Sequence, residues 1–270
     1  MKRPEDLLIA VRDESVSPET AALLIAKEAR PELDVAHELS RIDALAAELG
    51  PQDAKAPPAR QAKFLSTFLF ERLGFRGNED DYLDPRNSYL DEVLTRRTGI
   101  PITLAVLLAA VGRRVGIVVD GIGFPAHFLA RVGGEGGVYV DPFFGGRVLP
   151  ADAIERLAEH TLGSAARLRP EHLAPASLRA LVVRMLLNLK HAHERLGDRA
   201  RALVVCDRLF DLSGTIAFRR DRGLHALELG AYAAAASDLR AYLEASPGAP
   251  DVSAVRLALA RAERPKSALS

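Results

Sequence analysis

The sequence predicts an α+β fold in three parts: helices first, then a small antiparallel sheet, then helices alone. Three observations carry this reading. Apolar residues recur every three to four positions through most of residues 21–111. Short β-branched and aromatic runs separated by glycines follow between Ile117 and Val140. From Ser177 onward only helical patterns remain, and they recur at a fixed spacing. Helices followed by antiparallel strands is an α+β order, not the strand–helix alternation of a doubly wound sheet.

Each element has a local cause. Ser17 and Pro18 form a cap and first-turn pair before the apolar stretch 21–29. Pro31 interrupts it, and Val35, Leu39, Ile42, Leu45 and Leu49 resume the helical spacing until Gly50–Pro51. A Pro/Ala-rich loop through Pro57–Pro58 leads to an expected helix over 61–73. Asp84–Pro85 repeats the cap-and-proline signal, with Tyr89, Leu90, Val93 and Leu94 as the buried stripe and Gly99 as the expected stop. Strands are expected over 117–122, 128–132 and 138–140, the last two joined as a hairpin across the glycine-rich residues 133–137. A helix is expected over 151–160.

Composition narrows the function. The chain has 270 residues, 48% apolar and 27% charged, enough for one large domain or two ordinary ones with a real core. Lysine plus arginine equals aspartate plus glutamate, at 36 each. A phosphate-backbone binder draws on a basic excess, so no nucleic-acid partner is expected. Cys206 is the single cysteine, which excludes an internal disulfide and a Cys-based zinc site and fits a reducing compartment. The basic N-terminus carries only the short apolar run 7–11 and no small-residue cleavage site, so it does not read as a leader. The longest apolar run, 102–111, is about half of a membrane span. The expectation is a soluble, cytoplasmic chain with no membrane partner.

The C-terminal helices recur. Leu196–Gly197 and Leu229–Gly230 stand 33 positions apart, each between alanine-rich helical segments. In the second unit Gly223, Gly230, Tyr232, Ala235 and Pro247 fall at the spacings of a tetratricopeptide repeat, which it resembles. The first unit fits less well: Ala202 matches, but Lys190 stands where a small residue is expected. Two units are fewer than the three that normally stand alone, so they must lean on the preceding domain. A plain helical bundle is the alternative.

The stretch 75–104, FRGNEDDYLDPRNSYLDEVLTRRTGIPITL, together with GFPAHFLAR (123–131) and YVDPF (139–143), resembles the SirB1 family. That family joins a transglutaminase-like (papain-like) core to tetratricopeptide repeats in bacterial proteins. The resemblance implies a SirB1-type domain over 1–170 and a helical-repeat domain over 171–270. It also implies a triad: a cysteine at a helix start, then a histidine and an aspartate on neighbouring strands. The helix start lowers the thiol pKa, the histidine holds the thiolate, and the carboxylate orients the imidazole.

His127 and Asp141 are the counterparts of the last two members. A turn centred on Gly134 pairs them directly, and one centred on Glu135 sets them diagonally, so either register leaves both on one sheet face. The nucleophile position falls on Pro101. Proline suits a first helical position. It has no nucleophilic atom, and it removes a backbone N–H that helps form the family's oxyanion hole. Losing one such donor typically costs about 2.7–4 kcal/mol of barrier. Tryptophan, whose N–H the family also uses there, is absent from the sequence. The transglutaminase-like site is degenerate.

Other residues stand as candidate substitutes. Thr103 lies two positions into the same helix, but a secondary alcohol needs strong base activation, and a first-turn threonine more often bonds locally. Cys206, among Leu203, Val204 and Leu209, reads as core. His127 and Asp141 have two readings: a buried pair that stabilises the hairpin, or an inherited site that still binds a ligand. Gly121-x-Gly123 lacks the third glycine of a dinucleotide loop. His191 and His193 face different sides of a helix, and 78–84 lacks the features of a calcium loop. No metal and no cofactor are expected.

The cluster Asn78, Asp80, Tyr82, Asp84, Arg86 and Asn87 matches the SirB1-like motif. Asp84 and Asn87 read partly as caps. Arg86, Arg96 and Arg97 form either an ion-pair network or a recognition surface. Asn78, Tyr82, Arg86, Asn87, Arg97 and Phe124 are the expected binding set. The leading functional expectation is a non-catalytic scaffold or regulator that binds a protein or peptide through its cleft and the concave repeat face. The rival is an amide-bond hydrolase or transamidase using His127 and Asp141 with Thr103 or an unidentified nucleophile. A third reading makes the first domain a support for the repeats. Neither the partner nor the oligomeric state is set by the sequence.

Overall fold

A computed structural model describes residues 6–53, 55–163 and 167–264. Met1 to Glu5, where the leader reading begins, lie outside them. The chain forms two compact units, residues 1–185 and 186–270.

The first unit opens with α1 (Leu7–Arg12), which the sequence reading missed because it is barely two turns long. Asp6 caps it by accepting the N–H groups of Leu8 and Ile9. In α2 (Pro18–Ala29), Ser17 accepts the N–H of Thr20 and Pro18 takes the first turn, as the cap signal predicts. Asp34 caps α3 (Val35–Leu49) in the same way.

The expected helix over 61–73 is corrected in two respects. It begins at Pro58 as α4 (Pro58–Ser66), because Pro58 fills a first-turn position where no N–H is needed. It then widens into a π-helical segment, Thr67–Arg72, closed by Leu73 N donating to Phe68 O at 2.9 Å. The wider turn accommodates three consecutive buried residues, Phe68, Leu69 and Phe70.

A short strand β1 (Arg76–Gly77) follows, then a 3-10 turn, Pro85–Asn87, capped by the Asp84 carboxylate. The single helix expected to run on to Gly99 is broken. After the 3-10 turn, α5 (Leu90–Arg96) starts afresh and ends at Arg97, whose φ of 55° is left-handed. Arg97 is held there by donating from its guanidinium to Leu73 O at 2.8 Å. Gly99 is thereby freed from a capping role and enters β2 (Thr98–Gly99), parallel to β1. The next helix, α6 (Pro101–Arg114), is buried over most of its length.

The sheet is a four-stranded antiparallel meander: β3 (Val119–Ile122), β4 (Leu129–Val132), β5 (Val138–Asp141) and β6 (Arg147–Leu149), paired in that order. β6 was not anticipated, since three residues carry no legible alternation. The hairpin register centres on Glu135, pairing Ala130 with Val140. α6 packs on β3 and β4. With α7 (Ala151–Leu162), the sheet encloses a core of Ile122, Phe124, Leu129, Leu149, Ile154 and Ala158. Full burial of a side chain such as Leu129 stabilises by about 1.5–3 kcal/mol.

Past a 3-10 turn at Pro170–Leu173 comes α8 (Leu178–Leu196), within which the division between the units falls. The second unit adds α9 (Arg199–Ser213), α10 (Ile216–Glu228), α11 (Tyr232–Ala245) and α12 (Val252–Ala262), consecutive helices packing on one another. A Cβ on Gly223 would lie 3.0 Å from Asp238 Cβ, so the glycine permits α10 and α11 to close. Lys190, out of place in the repeat pattern, is buried with its Nζ 2.9 Å from both Glu194 and Asp221. Paired charges replace the small residue there. No described helix is long and apolar enough to cross a membrane.

Candidate functional site

The backbone frame of the candidate site is set by β1 and β2. Gly77 pairs with Gly99, and Asn78 N donates to Gly99 O at 3.0 Å. Gly77 N also donates to Phe143 O at 3.2 Å, which ties the turn after β5 to the strand pair leading into α6. A Cβ at Gly77 would lie 2.6 Å from the Phe143 ring, so only glycine permits this approach. On its other side the turn is held by Ser66, whose hydroxyl donates to Gly146 O at 2.8 Å, while Gly146 N donates to Asp141 O at 2.8 Å.

His127 precedes β4, presented by a turn in which its N–H donates to Phe124 O and Ala126 adopts a left-handed φ of 54°. Extending the β4–β5 register sets Asp141 opposite Leu129, and therefore diagonal to His127. Their side chains meet: Nε2 lies 3.1 Å from Asp141 Oδ1, and both groups are largely buried. The approach is off the line that a hydrogen bond needs, so this buried nitrogen has charge-range contact but no hydrogen-bond partner among the described residues. Asp141 is shared further. Its Oδ1 accepts the N–H of Phe143 at 3.2 Å, and its Oδ2 lies 3.5 Å from the Arg147 guanidinium.

Aromatic rings extend from the pair. Phe144 faces His127 with ring centres 6.5 Å apart, Phe143 meets Phe144 edge-on at 5.1 Å, and Tyr82 packs on Phe143 at 5.8 Å. Arg147 lies over the Phe144 ring at 4.7 Å. Sequence reasoning named Tyr82 but missed Phe144 and Arg147. Their signal was weak: Phe144 precedes, and Arg147 begins, a strand too short to read, after a motif that ends at Phe143.

A histidine–carboxylate pair can orient and deprotonate a nucleophile, but the attacking atom must come from elsewhere. The start of α6 does not supply it. Pro101 occupies the first turn and is buried. Thr103, the expected low-ranking substitute, is corrected to a structural role: it is fully buried, its Oγ1 lies 2.8 Å from the Asn87 carbonyl as donor, and it accepts the N–H of Ile100 at 3.1 Å. Cys206 sits in the core of the repeat unit, and burial pushes its thiol up to about 12.

The expected binding set divides. Phe124 is corrected outright: it is fully buried in the core beneath the sheet. Asn87 is also fully buried. Its amide donates to Asp81 O at 2.8 Å, and its Oδ1 accepts from Asn78 at 3.1 Å and Arg96 at 3.3 Å. Asn78 and Asn87 are therefore loop fasteners. The choice left open for the arginines falls to a network for two of them, since Arg86 and Arg96 both contact the buried Asp84 carboxylate, at 2.8 and 3.3 Å. Burial alone would raise the Asp84 pKa, but the hydrogen bonds from Arg86 and the charges of Arg86 and Arg96 hold it below the usual range. Arg97 serves Leu73 instead. Tyr82, 41% exposed, is the member that packs on Phe143, two residues after Asp141. Among the described residues no group of three or more His, Cys, Asp or Glu side chains could hold a metal ion.

Residues 36–187 match the family profile of the transglutaminase-like superfamily, and residues 189–260 match that of the tetratricopeptide repeat. The chain is 39% identical over 258 residues to a UPF0162 protein of Xylella fastidiosa, covering 92% of this chain and 91% of that one. A UPF0162 protein of Vibrio cholerae is 33% identical over 243 residues, covering 85% and 86%. F-box only protein 21 of Mus musculus is 40% identical over 98 residues, which are 33% of this chain and 16% of that one. No solved structure matches.

Proposed function

The chain belongs to the transglutaminase-like superfamily, and we propose that it works without catalysis, as a scaffold or regulator that binds a protein or peptide partner. Its finer relation, on the motifs at 75–104, 123–131 and 139–143, is to the SirB1 family. The observation that carries the reading is Pro101 in the first turn of α6, where a nucleophile would stand. Three others support it. The Thr103 hydroxyl is engaged with backbone on both sides. His127 Nε2 lies 3.1 Å from Asp141 Oδ1 without the alignment of a hydrogen bond. The lone cysteine is buried, with its thiol pushed up to about 12. Tetratricopeptide repeats supply the interaction surface, since stacked helix pairs present extended faces to partners. A lone, buried cysteine suits a reducing cytoplasm.

A second reading, an amide-bond hydrolase or transamidase, draws on the 3.1 Å approach of His127 to Asp141. Assays of amide hydrolysis and amine incorporation separate the two. The proposal expects no turnover above a heat-killed control, and no difference between wild type and a folded His127→Ala variant. Turnover lost in that variant would establish the enzyme reading instead.

A further inference from the structure

The charges around Asp141 are unevenly matched. One buried carboxylate faces two groups able to carry positive charge, with His127 at Oδ1 and Arg147 at Oδ2. Arg147 is 58% exposed, and its contact with Asp141 is long at 3.5 Å. Asp141 is the one carboxylate it meets among the described residues. Its guanidinium lies over Phe144 at 4.7 Å, and it carries five N–H donors on a side chain open to solvent. His127 offers a second group: its side chain is 13% exposed, with Nε2 turned to Asp141. Phe144 is itself 44% exposed beside both.

An exposed guanidinium and an imidazole thus flank the same carboxylate and the same open ring. The ligand group that fits is planar and anionic. A carboxylate accepts two parallel bonds from an arginine, and an imidazolium donates from either nitrogen. A cation would meet Arg147 directly. The exposed rings of Phe144 and Tyr82 add apolar contact for the residue next to the carboxylate, which favours a peptide over a free small acid.

We propose that His127, Phe144 and Arg147 form a receptor for a single carboxylate of a peptide ligand. The inference rests on the non-catalytic reading above and names what the site recognises. The group is the same whether it comes from an acidic side chain or a chain terminus, and the test separates them.

Calorimetry on the full chain would use three synthetic peptides: acetyl-Ala-Phe-Glu-Phe-Ala-amide, its glutamine analogue, and that analogue with a free C-terminal carboxylate. One or both acids are expected to bind about tenfold or more tighter than the neutral peptide, as charge-assisted bonds are roughly twice as strong as neutral ones. The tighter acid identifies the source. Arg147→Gln is expected to erase the preference, and Arg147→Lys, which keeps the charge without the fork, to retain part of it. Arg147 is exposed, so both variants should fold, and matching melting curves would verify this. Equal binding of all three peptides, or a preference that survives Arg147→Gln, would overturn the carboxylate assignment while leaving peptide binding intact. No binding by either acid at about 1 mM would also overturn it. Cleavage or transamidation of any peptide would instead overturn the non-catalytic reading beneath it.

Discussion

The Thr103 hydroxyl lies 2.8 Å from the carbonyl oxygen of Asn87 and 3.1 Å from the amide nitrogen of Ile100. One oxygen thus donates to the loop before α5 and accepts from the N-cap of α6. The hydroxyl two residues after Pro101 is committed to joining these two segments.

Thr103→Val should therefore destabilise the fold by about 1–3 kcal/mol, because it leaves a buried carbonyl and a buried N–H unpaired at nearly constant volume. Thr103→Ser should recover most of the loss. Urea unfolding of the three proteins measures this. A valine variant as stable as wild type would show that the hydroxyl is free for other work.

Cys206 should be inert in the native chain. Burial pushes its thiol up to about 12, so almost none is thiolate at pH 8. Titration with a disulfide reagent should give no native-state reaction and one equivalent after denaturation. Rapid native modification would contradict the core assignment.

Gly77→Ala should weaken the frame of the site. The new Cβ would lie 2.6 Å from the Phe143 ring, and displacing that ring loosens the turn that follows Asp141. Overpacking of this kind costs about 1–3 kcal/mol. Thermal melting gives the cost, and the peptide preference set by Arg147 should fall in parallel. A variant with unchanged stability would mean that the turn has room to move.

Much of this fold was legible because its causes are local. Ser17–Pro18 and Asp84–Pro85 mark helical starts through chemistry confined to a few residues, and the glycines at 133–137 mark the hairpin in the same way. Reading failed where distant contacts decide. Arg97 ends α5 because Leu73 O lies within reach of its guanidinium, a fact with no trace in the neighbouring residues. Phe124 looked like a cleft residue from its motif, yet the helix α7 that buries it begins 27 positions later. His127 and Asp141 were found through the resemblance to the family's triad, and hairpin parity sets them on one sheet face whether Gly134 or Glu135 centres the turn. Arg147 was missed because β6 is three residues long and gains its meaning from the Asp141 oxygen beside it.

Acid should unfold the chain through carboxylates held below their usual pKa. Burial alone would raise Asp238, but hydrogen bonds from Arg222 and Arg219 outweigh it and lower its pKa; Asp84 behaves likewise with Arg86 and Arg96. A carboxylate with a depressed folded pKa stabilises above its unfolded value, about 3.9, and that contribution is lost as pH falls through the folded value. Stability should therefore be flat near neutrality and fall below about pH 4. Asp238→Asn should lower stability at pH 7 and shallow the acid limb. An unchanged acid limb would remove Asp238 from this account.

The most direct test of the central claim is intact-mass analysis of the purified chain after incubation with an activated ester and with a glutamine-donor peptide. Because Pro101 offers no attacking atom and the Thr103 hydroxyl is engaged, the mass should remain that of the unmodified chain. A stoichiometric acyl adduct that disappears in His127→Ala would contradict the account, and its position would identify the nucleophile.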